Sequence, residues 1–138
     1  MHHDIECAWK GGMAFEADLF GRIVRMDAKE ADGGHDDGVR PKPLILAALA
    51  GCTGMDVVSI LGKMRQPLSH FNMRVKGELS SEQPARYVSF TIVYEFKTSD
   101  GLDPEKVRKA VELSQEKYCG VSATLRAAGP VGWEIIYL

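Results

Sequence analysis

The chain has 138 residues, of which 45% are hydrophobic and 26% charged, with a net charge of −2. That balance predicts one globular domain over residues 1–138. It excludes the basic footprint of a nucleic-acid binder or of a protein drawn to anionic membrane, so neither partner is expected.

The elements follow in chain order. "DIECAWK" alternates, with Ile5, Cys7 and Trp9 on one face and charged or small residues on the other, which predicts a half-buried strand. "MAFEADL" and "GRIVRMDA", each preceded by a glycine turn, predict two more strands and thus an N-terminal β meander. "KEADGGHDDGVRPKP" is polar, Gly-rich and ends in prolines, so it reads as a loop. Pro43 then suits the first turn of a long helix reaching Met64 or Arg65, which Pro67 cannot extend.

"HFNMRVKGELS" alternates Phe71, Met73, Val75 and Leu79, and "YVSFTIVYEFK" alternates Val88, Phe90, Ile92, Tyr94 and Phe96. Joined by a polar turn, they predict a β hairpin with one buried face. Asp103 as N-cap and Pro104 at the first helical position open a second helix, whose apolar stripe is Val107, Ala110, Val111, Ser114 and Tyr118. Gly120 interrupts it, "VSATLRAAG" is a short helical piece, and "VGWEIIYL" is a final strand. The order is not a strict βαβ alternation, so the fold class is α+β.

The long helix is apolar around most of its circumference and needs cover on every side. With two small sheets available, the remaining face predicts a homodimer, the helix packing on its own copy or on the partner's sheet. Ala47, Ala48, Ala50, Gly51 and Gly54 permit close approach. The alternative is a monomer that encloses the helix. The apolar run Leu44 to Met55 is shorter than the ~20 residues of a membrane span. No apolar signal segment precedes it, and the cysteine count is odd (Cys7, Cys52, Cys119). A reducing cytoplasm is therefore the expected compartment.

The misfits in the long helix are Cys52 and, one turn on, Asp56. A lone cysteine in an apolar helix is commonly packing. A carboxylate on the same face, costly to bury without a partner, points instead to a site. An anion beside a thiol opposes its ionisation, and Cys52 lies too deep in the helix for the dipole to help. A reactive Cys52 thus needs a cation from elsewhere: Arg40 or Lys42 ahead of the helix, or Arg22 or Arg25 in the meander. Cys119 at the helix bend is a second thiol, able to resolve a sulfenic acid if the two sulfurs meet.

Cys7 reads as structural, facing inward with Ile5 and Trp9. His35, Asp36 and Asp37 in "GGHDDG" resemble a metal loop, but a Gly-rich loop supplies no fixed ligand geometry. His2 and His3 make no zinc spacing with any cysteine, and His70 is a strand end. No metal and no cofactor is expected, since nucleotide-binding motifs are lacking too.

"RPKPLILAALAGCTGMDVVSILGKMR" and "KAVELSQEKYCGVSATL" resemble the two signature segments of the OsmC/Ohr family, the osmotically inducible and organic hydroperoxide resistance proteins. The "GELSSEQPARYVSF" hairpin and the "WKGGMAF" N-terminal region agree, so the resemblance spans nearly the whole chain, toward the OsmC-like branch near YhfA. It implies an intertwined α+β homodimer with the long helices central and sites at the interface. It further implies that Cys52 is the peroxidatic cysteine for a small hydroperoxide, Cys119 the resolving one, and a dithiol the reductant. One departure stands out: the Pro-Glu pair of the peroxidases is here Pro41-Lys42. Arg40 or Lys42 is then the expected replacement for the missing activating arginine, and Asp56 lies outside the family's peroxidase pattern. The alternative is a non-peroxidatic member that binds or senses a small apolar or electrophilic molecule.

Overall fold

The structure, a computed structural model, describes residues 1–138, which divide into two compact units, Met1–Ile45 and Leu46–Leu138. The content is α+β, as expected, with two three-stranded sheets and three helices.

In the first unit, β1 (Glu6–Trp9), β2 (Phe15–Leu19) and β3 (Arg22–Met26) form an antiparallel meander. The β2–β3 turn is Phe20-Gly21, both at positive φ (54° and 89°), the backbone a tight hairpin demands. The Asp18 carboxylate accepts the Gly21 N–H at 2.7 Å and fixes the turn. Register aligns Cys7 with Ala17 and Val24, and Trp9 with Phe15 and Met26, so these side chains share one face.

That face is incompletely covered. Trp9 is 65% and Phe15 41% exposed, and Cys7 is exposed rather than packed as the alternation predicted. The alternation does identify an apolar face, but it carries no information about what lies over it.

The loop after β3 is built around Asp27, 3% exposed, whose carboxylate accepts the backbone N–H groups of Ala28, His35 and Asp37 at 2.8, 3.1 and 3.2 Å. Gly34 is required there, because a Cβ would lie 2.0 Å from the Ala28 carbonyl oxygen. Burial opposes the charge on Asp27, but the three N–H donors outweigh it and hold the carboxyl below its ordinary pKa. A depressed folded-state pKa adds stability that is present above the unfolded carboxylate's pKa and lost as pH falls through the folded value. Acidification below pH ~4 should therefore release this loop, with the Ala28, His35 and Asp37 amides gaining hydrogen exchange before those of β4 and β5. Asp27→Asn should remove that pH dependence. Loop amides exchanging in step with the sheet would refute the assignment.

The second unit holds α1 (Leu44–Lys63), β4 (Phe71–Leu79), β5 (Tyr87–Phe96), α2 (Pro104–Leu113), α3 (Gly120–Leu125) and β6 (Val131–Tyr137); α1 starts two residues before it. α1 closes on Arg65 at φ 56°, with Gln66 N–H bonded to Leu61 O and Arg65 N–H to Gly62 O, a Schellman ending with arginine in the left-handed position. β4 and β5 are the expected antiparallel hairpin, and β6 joins β5 in parallel. A register shift at Glu78/Leu79 turns Leu79 outward, 51% exposed, and brings Tyr87 rather than Val88 to the buried face.

Leu49, Val57 and Leu61 of α1 pack with Ile92, Tyr94 and Phe96 of β5 and Val107 and Val111 of α2, all fully buried. Over 20 residues α1 is long and apolar enough to cross a membrane, because the helix runs well past the apolar stretch ending at Met55. Its buried stripe is nonetheless a protein core. Met55 (76%) and Val58 (48%) on the other side are open. Beside them an apolar groove of about 480 Å³ is lined by Gly51, Gly54, Met55, Val58, Phe71 and Met73.

Asp103 caps α2 by accepting the Glu105 N–H at 3.0 Å, with Pro104 next, as the sequence predicts. Val107, Ala110, Val111 and Ser114 are buried, but Tyr118 is 60% exposed. The cause is a π turn over Ser114–Tyr118, closed by Cys119 N–H to Ser114 O at 2.7 Å. One wide turn advances the helical phase, swings Tyr118 out and places Gln115 and Cys119 inside.

Candidate functional site

Three sequence-predicted residues of the second unit converge. The Cys52 and Cys119 sulfurs and an Asp56 carboxylate oxygen all lie within 4.8 Å of one another. Cys52 and Asp56 are on successive turns of α1, one face, and both are half-buried. Cys119 is 3% exposed and is delivered by the π turn, where it also caps α3, its sulfur accepting the Ser122 N–H at 3.3 Å. All three cysteines are free thiols. Burial pushes the Cys119 thiol up to about 11, and the adjacent Cys52 and Asp56 act in the same direction against the Ser122 N–H. At neutral pH Cys119 is therefore a protonated thiol.

Behind Asp56 runs a buried polar chain that the sequence did not reveal. An ionised carboxylate only accepts, so the Ser114 hydroxyl donates to Asp56 Oδ2 at 2.9 Å. Ser114 Oγ must then accept from Thr53 at 2.7 Å, and Thr53, its proton committed, accepts from Tyr94 at 2.6 Å and from Gln115 Nε2 at 3.1 Å. Gln115 Nε2 also donates to Tyr94 Oη at 2.9 Å, while its Oε1 accepts from Ser122 Oγ at 2.6 Å and Arg126 Nη2 at 3.4 Å. Two donors on Oε1 and two acceptors at Nε2 fix the amide's orientation.

The hydroxyl protons of Tyr94, Thr53 and Ser114 thus all point toward Asp56. Burial raises the Tyr94 pKa, against the Thr53 and Gln115 hydrogen bonds, and the Cys119 and Asp56 charges raise it further. No buried side-chain nitrogen or oxygen lacks a partner. The available signal was a hydroxyl in line with each apolar stripe, Thr53 within α1 and Ser114 just past the end of α2.

A cleft of about 450 Å³ reaches Asp56, walled by Ser59, Ile60, Lys63, Leu113 and the outward Tyr118. Of the candidate cations of the first unit, Arg40 and Arg25 are engaged locally. Arg40 Nη2 meets Asp36 Oδ1 at 2.8 Å and its Nη1 donates to Gly38 O at 3.1 Å; Arg25 bonds Glu16 at 3.0 Å and Asp37 O at 2.9 Å. Lys42 lies exposed in the turn before α1. The His35 N–H and the Asp37 N–H belong to the Asp27 hub.

Comparison with known proteins bears on this arrangement. YhfA of Escherichia coli K12 is 31% identical over 121 residues, 87% of each chain. Among solved structures, a hypothetical protein from Aquifex aeolicus superimposes with a TM-score of 0.81 at 24% identity, covering 100% of this chain and 98% of that one. The organic hydroperoxide resistance protein OhrB of Bacillus subtilis gives 0.66 at 19% identity, covering 96% and 98%. The family model for OsmC-like protein matches residues 34–134, spanning α1, both cysteine segments and most of β6, and the chain belongs to the OsmC-like family.

Proposed function

We propose that this protein is a single OsmC-like domain, working as a cytoplasmic homodimer, that reduces an organic hydroperoxide with Cys52 and Cys119. The observation that carries the reading is the approach of the two sulfurs, within 4.8 Å. Membership of the OsmC-like family and the likeness to OhrB supply the redox context. The Cys52 thiolate attacks the distal peroxide oxygen, an S–O bond forms, the O–O bond breaks, and the alkoxide leaves as the alcohol after taking a proton. Cys119 then attacks the sulfenic sulfur, water departs, and a disulfide results. A dithiol reductant takes the disulfide back to two thiols. The open Met55 and Val58 and the apolar groove beside them support a second copy covering α1.

Thiol counting tests the reading. In a Cys7→Ser background, one equivalent of organic hydroperoxide should remove both remaining thiols per chain and yield a Cys52–Cys119 disulfide. Native, unsubstituted protein should show Cys7 as the readily labelled thiol and Cys119 as the protected one, following their exposure. Asp56 beside the sulfurs supports a second reading, in which Cys52 captures an electrophile and no disulfide turnover follows. Modification of Cys52 alone, with Cys119 still a thiol, would select it.

A further inference from the structure

We infer that Cys52, Asp56 and Cys119, with both thiols reduced, form a three-ligand site for a Zn²⁺ ion. The inference goes beyond peroxide reduction and does not depend on it. The donor set is two sulfurs and one carboxylate oxygen, all within 4.8 Å of one another. Zn–S bonds of ~2.3 Å and Zn–O bonds of ~2.0–2.2 Å at tetrahedral angles place sulfurs ~3.8 Å apart and sulfur and oxygen ~3.5 Å apart. The three atoms need to close up by only about an ångström, within reach of small side-chain rotations.

The positions are those that metal sites use. Cys52 and Asp56 occupy one face of a helix at i and i+4, the spacing by which a single helix offers two ligands to one ion. Cys119 is fixed from the other side by the π turn and the cap of α3. Two of the ligands already carry supporting hydrogen bonds of the kind that orient metal donors: Ser114 Oγ holds Asp56 Oδ2, and the Ser122 N–H holds the Cys119 sulfur.

Sulfur donors disfavour Mg²⁺ and Ca²⁺, and a mixed sulfur and oxygen set suits Zn²⁺. Three protein ligands leave a fourth position, and the cleft at Asp56 provides room for water or a small ligand there. The site also gives Asp56 a purpose that cysteine redox chemistry does not. Each thiol loses its proton on binding, and a Cys52–Cys119 disulfide and a bound ion exclude one another.

The test uses the full chain, stripped of metal, fully reduced and kept oxygen-free. Zn²⁺ is titrated against a chromophoric chelator, and Co²⁺ is followed by absorption. The expected result is one ion per chain, with Co²⁺ giving tetrahedral d–d bands and thiolate charge-transfer bands. Cys52→Ser and Cys119→Ser should each weaken binding by more than the ~10–100-fold that loss of a supporting partner costs, and should diminish the charge-transfer bands. Asp56→Asn, isosteric and still an acceptor for Ser114, should weaken binding at least tenfold and keep those bands.

A measurement without substitutions is protection: Zn²⁺ should slow alkylation of Cys52 and leave exposed Cys7 unaffected, as mapped by mass spectrometry. Absence of Zn²⁺ uptake, or uptake that survives loss of both cysteines and vanishes with His2→Ala and His3→Ala, would overturn the site. Protein that forms the disulfide with hydroperoxide yet takes up no ion would lose this inference alone. Protein that binds the ion and never forms the disulfide would lose the peroxidase reading alone.

Discussion

Thr53→Val should destabilise the protein by about 1–3 kcal/mol, although it exchanges one β-branched residue for another of nearly the same shape in the same helix. The hydroxyl that disappears is the only acceptor given to the buried Tyr94 O–H, at 2.6 Å, and the only donor to Ser114 Oγ, at 2.7 Å. Ser114 still donates to Asp56, and Gln115 Nε2 keeps its bond to Tyr94 but loses Thr53, the acceptor of its other N–H. The Tyr94 O–H is left without an acceptor too, in a position that is fully buried.

The cost is therefore the desolvation of two stranded donors, the Tyr94 O–H and one Gln115 N–H, more than the loss of favourable bonds. Adding Tyr94→Phe removes the stranded O–H, while each single change already strands one Gln115 N–H, so the double variant is more stable than the sum of the single changes predicts, by about 0.5–3 kcal/mol. Urea midpoints at constant slope measure all four proteins of the cycle. Additive effects would show that Thr53 and Tyr94 do not depend on one another and that the proton direction assigned to the chain is wrong.

This polar chain marks the boundary of what was legible in the residues. The meander, the hairpin, the Asp103–Pro104 start of α2 and the length of α1 follow from local periodicity and capping, which act over a few residues and leave a direct trace. Cys52 and Asp56 were also legible as a pair, because helical geometry alone puts i and i+4 on one face.

What was not legible depends on non-local geometry. A π turn has no composition of its own, so helical periodicity assigns Tyr118 to the buried face and is silent on Gln115; one wide turn reverses their exposure. Asp27 organises its loop through backbone amides up to ten residues away, and amides carry no sequence signal. Thr53, Tyr94, Ser114 and Ser122 come from four separate elements, each an unremarkable polar residue until the fold brings them together. Cys7 shows the converse: its strand alternation defines an apolar face, and alternation does not say what covers that face.

Under the peroxidase reading, Cys52→Ser and Cys119→Ser should fail in different ways. At neutral pH the Cys119 thiol, pushed up to about 11, is almost entirely protonated, and the thiolate is the species that attacks a peroxide. Cys119 cannot substitute for Cys52 in the first step, so Cys52→Ser should lower hydroperoxide consumption to that of the protein-free reaction, with Cys119 recovered as a thiol. Cys119→Ser should leave the first attack intact. A single equivalent is then consumed, a sulfenic acid persists at Cys52 and can be trapped by a carbon nucleophile, and turnover with a dithiol slows because no intramolecular disulfide forms. A raised pKa does not handicap Cys119 in the second step. Within reach of the sulfenic sulfur it acts at high effective concentration, and its proton can leave with the departing hydroxide as water. Equal losses in the two variants, with no sulfenic acid trapped in Cys119→Ser, would remove the division of roles and leave the electrophile-capture reading in its place.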